Sequence, residues 1–270
     1  MKMRLPIPGG SLPPEAVTLM AALVQTEPQC TFRLAMRQGI DIYIPDTPAT
    51  PERTRLIDAL TRLLEPETYR GFTVTACPGA PDCRNANAPT RALARQINRM
   101  LAETGYYITA AVSGCMNDCG QLRLQNIGVI AQTRPVIDAA SCTGCGKCAA
   151  ICSRFAAAAL QQHSEHDVPL YDPDICNGCG LCVSKANCAS ITRDPILRFA
   201  LYLFGNTAKG QVREGTLMAQ FLTEDALLNA LADVLAFLPI PDENDGAVHR
   251  KGLRHLLRQA AQIQTYCSTL

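Results

Sequence analysis

Twelve of the chain's fourteen cysteines fall into three groups of four. The first group reads Cys77-Pro-Gly-Ala-Pro-Asp-Cys83 and, after one helix and one strand, Gly114-Cys115-Met-Asn-Asp-Cys119-Gly120. Two pairs with gaps of five and three residues, brought together from separate strand ends, make a four-thiolate cage for a cubane iron–sulfur cluster, because each iron asks for one soft anionic ligand. The second group, Cys142, Cys145, Cys148 and Cys152, is spaced C-x2-C-x2-C-x3-C; the third, Cys176, Cys179, Cys182 and Cys188, is spaced C-x2-C-x2-C-x5-C. The expected load is three [4Fe–4S] clusters.

The last two groups have the spacing of a bacterial dicluster ferredoxin, with two extra residues before Cys188. In that spacing the fourth cysteine of each run folds over to the other cluster. Cys188 is thereby expected with Cys142, Cys145 and Cys148, and Cys152 with Cys176, Cys179 and Cys182. A disulfide scaffold suits a small secreted chain with little core, whereas this chain has 270 residues, 47% of them hydrophobic, and no N-terminal secretory segment is read in it. Zinc would accept two C-x2-C pairs, but a triple C-x2-C-x2-C with glycines between ligands wraps a cubane. With 25 Lys and Arg against 24 Asp and Glu, neither nucleic acid nor an acidic membrane surface is expected as the main partner. No apolar run approaches a membrane span. Oxygen-sensitive thiolate sites point to a reducing cytoplasm and an anaerobic or microaerobic life.

These cysteines need platforms, and the hydrophobic pattern supplies them. A strand near Met3–Pro6, an amphipathic helix from Pro13 to about Thr26, alternating strands at Thr31–Arg37 and Ile40–Ile44 and a helix over Pro51–Leu64 form a compact α+β half-domain. On the first alternating strand Phe32, Leu34 and Met36 share one side, Arg33, Ala35 and Arg37 the other. The strand Phe72–Ala76 delivers Cys77 and Cys83, a helix covers Pro89–Leu101, and the strand Tyr107–Ser113 delivers Cys115 and Cys119. Strands at Ile127–Ile130 and Pro135–Ile137 lead into the cysteine-rich repeat. Beyond it the pattern predicts a short helix near Pro195–Leu203, a glycine-bearing loop at Gly205–Gly210, a strand at Leu217–Phe221, a helix over Glu224–Phe237 and a basic helix from Val248 to about Tyr266. Strands and helices resume after the repeat, so it reads as an insertion. The expected units are residues 1–66; 67–138 with 193–270; and 139–192.

Thr75-Ala-Cys-Pro-Gly-Ala-Pro-Asp-Cys-Arg84 together with Ala111-Val-Ser-Gly-Cys-Met-Asn-Asp-Cys-Gly120 resembles the siroheme and iron–sulfur motif of the sulfite and nitrite reductase family. Pro8-Gly-Gly10 and Phe32-Arg-Leu-Ala-Met-Arg-Gln-Gly39 are similar to that family's ferredoxin-like half-domain, and the inserted module makes the layout similar to small anaerobic and dissimilatory-type sulfite reductase subunits. The resemblance implies an α+β chain: a ferredoxin-like half-domain, an α/β siroheme–[4Fe–4S] domain and an inserted 2[4Fe–4S] ferredoxin module. It implies that Cys77, Cys83, Cys115 and Cys119 hold a cluster, with Cys119 also the axial ligand of siroheme, and that Arg33, Arg37 and Arg84 meet siroheme carboxylates. The implied activity is reduction of a small oxyanion, sulfite to sulfide first, with electrons from a donor protein.

The chain departs from that pattern where its lysines should be. Family members place Lys-x-Lys on the strand before Gly-Cys-x3-Cys; the aligned residues here are Tyr107 and Thr109. Arg4, Arg33, Arg84 and Lys209 stand as the remaining catalytic candidates. Three readings stay open: a sulfite reductase; a nitrite reductase or other siroheme redox protein; and an electron-transfer iron–sulfur subunit without substrate chemistry. Half of a pseudo-twofold unit also implies a homodimer or a related partner subunit. Cys30 and Cys267 read as apolar packing groups, His163 and His166 as solvated, and Met116 as a packing residue; His255 is unassigned.

Overall fold

The computed structural model describes residues 2–7, 10–35, 38–64, 74–164, 167–208, 210–240 and 252–270. The first elements are β1 (Lys2–Pro6), α1 (Pro14–Thr26), β2 (Thr31–Ala35), β3 (Gly39–Tyr43) and α2 (Pro51–Leu64). Prolines open both helices where their missing N–H costs nothing, and Thr50 Oγ1 accepts from the Arg53 amide to cap α2. The three strands form an antiparallel sheet in the order β1-β3-β2. Alternation on β3 sends Ile40 and Ile42 into a core with Leu5, Leu23, Leu56 and Leu60, and sends Asp41 to the opposite face. On the edge strand β2, Phe32 lies opposite Ile42 and Leu34 opposite Ile40, both on the expected core side, but only Phe32 packs on this core and Leu34 is 80% exposed. Met36 and Arg37 lie outside the described residues.

A five-stranded sheet with the order β14-β11-β6-β5-β4 carries the rest. Its parallel part is β4 (Val74–Ala76), α3 (Arg91–Glu103), β5 (Ala110–Ser113) and β6 (Ile127–Gln132), followed by β7 (Pro135–Ile137). The cysteine-rich stretch then gives α4 (Lys147–Phe155), β8 (Leu160–Gln161), β9 (Leu170–Tyr171), α5 (Leu181–Ala186) and β10 (Ile191–Arg193). Strands β7 and β10 pair antiparallel, Ile137 opposite Ile191, so the chain leaves the sheet and returns to it at one place.

The return strand corrects the expected helix at Pro195–Leu203. It is β11 (Arg198–Leu203), antiparallel between β6 and β14. Phe199, Leu201 and Leu203 enter the main core while Ala200 and Tyr202 face the other side, a two-residue period that a short apolar run hides from sequence reading. The expected glycine loop is instead a hairpin, β12 (Asn206–Ala208) with β13 (Gln211–Arg213), leading to β14 (Thr216–Leu222). Lys209 lies outside the described residues. Helix α6 (Glu224–Ala236) begins at Thr223, whose hydroxyl accepts from the Ala226 amide. The single basic helix expected to the end is two, α7 (Gly252–Arg258) and α8 (Ala260–Cys267), broken at Gln259; residues 241–251 lie outside the described residues.

The sheet has two unlike faces. Ala110 and Val112 of β5 join α3 and α6 in the main core, whereas Ala111 packs with Leu122, Ile130 and Ala200 on the other side. A single 3-10 turn at Leu122–Leu124 brings Leu122 there.

Candidate functional site

Strands β4 and β5 end side by side and pass into the two loops of the first cysteine group. The Cys77 amide donates to Val112 O at 3.1 Å, extending the ladder by one bond, and Thr90 Oγ1 donates to Cys77 O at 2.6 Å. Gly79 has φ +69°, and a Cβ there would lie 2.5 Å from Thr90 Oγ1, so this turn accepts glycine alone. Across the gap the Gly114 amide points at Cys77 Sγ, 3.0 Å away. The second loop is fixed by Asp118, whose Oδ1 accepts from Ser113 Oγ and from the Leu122 amide. Cys77, Cys83, Cys115 and Cys119 come together: burial pushes the Cys115 thiol up, the Asn117 amide opposes this, and the other three thiols push the same way as burial. Cys115 is buried and Cys119 exposed.

The other eight cysteines form two rings that exchange their fourth members. Cys142, Cys145, Cys148 and Cys188 line one small cavity, walled by Ile137, Pro169 and Ile191. Cys152, Cys176, Cys179 and Cys182 line a second, walled by Leu160 and Tyr171. In the second ring burial, then the neighbouring thiols, hold the Cys182 thiol up to about 12. Four such thiols ionise together only against concentrated positive charge, which is what a cluster's irons bring. All fourteen cysteines are free, and the rings contain thiols alone, the donor set that suits iron–sulfur clusters. Among the described residues no group of three or more His, Cys, Asp or Glu side chains is disposed to hold a single metal ion.

The second ring is fastened to the first group's domain. Asn87, four residues past Cys83, offers Nδ2 to Ala131 O, Gly178 O and Cys179 O at 3.3, 3.4 and 3.5 Å, and its Oδ1 accepts from Arg193 Nε at 3.3 Å. Gln132 donates to Asn177 O at 3.0 Å and accepts from the Phe221 amide at 2.7 Å. The fit is close enough that a Cβ on Gly180 would lie 2.6 Å from Asn87 Oδ1.

Arg4 is spent on Asp41, with bonds of 2.6 and 2.9 Å, and Lys2 joins the pair at 3.2 Å. Arg33 lies across from Asp41 on β2 and is exposed, as is Arg84. Arg37 and Lys209 fall outside the described residues, as does His166. Tyr107 and Thr109 instead line a cleft of about 760 Å³ with the β12–β13 hairpin and α7. Thr109 and Asn126 are tied reciprocally, N to Oδ1 at 3.0 Å and N to Oγ1 at 3.1 Å, and Asn126 Nδ2 reaches Gly205 O at 2.9 Å. Helix α7 is held over this floor by the Gly252 amide on Tyr107 O and by His255 against Tyr106, ring centroids 5.2 Å apart. Sequence reading missed Arg213 and Arg254 in this lining; nothing in their spacing marks them, because the hairpin and α7 meet only in the fold.

In fold and sequence the chain is similar to sulfite reductases and their subunits. It is 26% identical over 245 residues to a subunit of the anaerobic sulfite reductase of Salmonella typhimurium, covering 86% of this chain and 72% of that one. Over 79 residues it is 35% identical to the coenzyme F420-dependent sulfite reductase of Methanocaldococcus jannaschii, 28% of this chain and 13% of the relative. The crystal structure of dissimilatory sulfite reductase I matches with a TM-score of 0.70 over 99% of this chain and 68% of that one, at 12% identity. No family model matches the chain. Among the described residues no helix is long and apolar enough to cross a membrane.

Proposed function

We propose that this chain is a siroheme-dependent reductase of a small oxyanion, with sulfite to sulfide as its first reaction, fed by two ferredoxin-type clusters. The observation that carries the reading is the convergence of Cys77, Cys83, Cys115 and Cys119 at two adjacent strand ends, with Cys115 buried and Cys119 exposed in the second loop. Siroheme bound at Cys119 would supply the multielectron redox chemistry. The chain's own part is to present a fixed thiol on that loop, held by Asp118, and to keep the second ring against it through Asn87 and Gln132. Similarity to proteins named as sulfite reductases supports the substrate. The unit boundaries 1–66, 67–138 with 193–270, and 139–192 are part of the same proposal, as are a reducing cytoplasm, an electron-donor protein and assembly with a second copy or a related subunit.

One observation favours the second reading, an electron-transfer subunit without substrate chemistry. The strand leading to the cluster loop presents the uncharged Tyr107 and Thr109 to its cleft, and an oxyanion is held best by charge-assisted bonds. Anaerobic purification, tetrapyrrole extraction and parallel sulfite and nitrite assays decide between them. Siroheme with sulfide production supports the reductase. Iron and sulfide for three clusters with no tetrapyrrole refutes it, and nitrite turnover alone moves the substrate.

A further inference from the structure

The two exchanged cysteine rings are built on one repeat and differ at a matched place. Ile137 stands five residues before Cys142, and Tyr171 stands five residues before Cys176. Each sits on a short antiparallel ladder, Ile137 opposite Ile191 and Tyr171 opposite Leu160, and each walls the cavity of its own ring. Where the first ring meets an apolar side chain, the second meets a phenol.

That phenol has an unmet donor. Tyr171 Oη is buried, and among the described residues it has no hydrogen-bond partner. A buried hydroxyl in that state costs about 1–3 kcal/mol, which is why such groups are ordinarily given an acceptor. Burial, and after it the Cys176 thiol, pushes the hydroxyl's ionisation above its usual range, so that sulfur lies beside it. Cys176 Sγ also takes the Gly178 amide at 3.4 Å, so this one ring member is approached by donors from two sides. A thiol is a weak acceptor; a thiolate bound in a cluster, carrying negative charge, is a stronger one.

We propose that Tyr171 donates a hydrogen bond to Cys176 Sγ when the second ring holds its cluster, and that this bond sets the ring's reduction potential above the value an apolar side chain at that place would give. The inference rests on the iron–sulfur reading of the rings. Reduction adds an electron to the cluster and strengthens its sulfurs as acceptors, so a donor stabilises the reduced form more than the oxidised one and the potential rises. The repeat thereby holds its two rings at different potentials, isoleucine beside one and a hydroxyl beside the other. Removing the hydroxyl should lower the second ring's reduction constant about threefold to tenfold, roughly 30 to 60 mV at about 59 mV per decade for one electron.

The test is an anaerobic redox titration followed by electron paramagnetic resonance on full-length wild type and Y171F, with iron and acid-labile sulfide measured on each. The second ring's signal is identified as the one that C152S alters. Y171F is expected to keep iron for three clusters and to titrate at a lower potential in that signal alone, a shift that a packing role for the ring would not produce. An unmoved potential, a rise, or an equal fall in every cluster overturns the proposal. Should Y171F lose iron, 3-fluorotyrosine placed at position 171 decides, because it keeps the hydroxyl and makes it a stronger donor: the second ring's potential should then rise, and no rise overturns the proposal. Wild type without iron and sulfide refutes the cluster reading and the proposal with it, whereas wild type with three clusters and no shift in Y171F sinks the proposal alone.

Discussion

Replacing Asn87 with alanine should loosen the second cysteine ring from the domain that carries the first group. Asn87 is 9% exposed, and its amide faces three carbonyls on two segments, Ala131 of β6 and Gly178 and Cys179 of the ring loop. An amide nitrogen has two hydrogens, so it satisfies two of these carbonyls at a time, at distances of 3.3 to 3.5 Å that are long for such bonds. Two weak bonds contribute about 0.5 kcal/mol each, and the bond from Arg193, being charge-assisted, about 1.5 kcal/mol. Arg193 is poorly placed to compensate, because its Nη2 is already buried without a partner. The expected loss is about 2 to 3 kcal/mol, concentrated at one seam. Amide exchange on the anaerobic holoprotein should therefore quicken on the order of thirty- to a hundredfold at residues 131–133 and 176–180, with little change in the β1–β3 sheet. With the proposed clusters in place, electron paramagnetic resonance should show an altered signal from the second ring and an unaltered one from the first. Asn87→Asp separates the contacts: it keeps an oxygen for Arg193 but sets a carboxylate oxygen against the carbonyls, so exchange at 176–180 should still quicken. Uniform quickening over the whole chain, or none at the seam, would refute the idea that Asn87 is a local clasp.

Three further outcomes follow from other contacts. Cys152→Ser should perturb the resonance signal of the cluster proposed for Cys176, Cys179 and Cys182 and spare the one proposed for Cys142, Cys145 and Cys148; the reverse pattern would contradict the exchanged rings. Gly205→Ala would place a Cβ 2.3 and 2.4 Å from the Arg123 and Gln125 carbonyl oxygens, which must move, and should cost about 1–3 kcal/mol by denaturant unfolding, whereas Gly210→Ala, with open space around it, should cost only the strain of its positive φ. Arg4, by its hydrogen bonds, and then Lys2 hold the Asp41 carboxyl well below the usual carboxylate range, so the stability it adds is present above about pH 4 and drains away as pH falls towards the folded value. Asp41→Asn should thus be less stable than wild type at pH 7, the gap narrowing on acidification; a gap that widens below pH 4 has the wrong sign.

Short-range patterns made much of this architecture legible. Alternation located β3 to within a residue, and helix α2 runs from Pro51 to Leu64 as its periodicity and opening proline indicate. The cysteine spacings grouped the ring side chains, including the distant Cys188, because a ferredoxin repeat constrains where its fourth cysteine can reach. What the sequence concealed is what long-range contact decides. Leu197 to Leu203 satisfies a helix and a buried strand equally, and only insertion between β6 and β14 selects the strand. Arg4 looked available until β1 was paired with β3, which sets it beside Asp41. Asn87 carries no motif, and its importance follows from three carbonyls that approach it from residues 44, 91 and 92 positions away.

The pattern of exposure among the thiols gives the arrangement its sense. Cys119 and Cys145 are exposed, whereas Cys115, Cys152 and Cys182 are buried. The two exposed thiols belong to different groups, Cys119 to the loop of the first group and Cys145 to the ring with Cys142, Cys148 and Cys188. The ring of Cys152, Cys176, Cys179 and Cys182 is bonded through Asn87 and Gln132 and pressed by glycines that admit no side chain. A chain that only stored iron would gain nothing by fixing that ring so closely. One that passes electrons between groups, as the proposed function requires, needs accessible thiols and an invariant spacing, since small displacements of positioned redox groups are costly to function. The tight packing at Gly178 and Gly180, where a Cβ would come within 2.6 Å of Gln132 and Asn87, is therefore best understood as holding a distance rather than as contributing stability for its own sake.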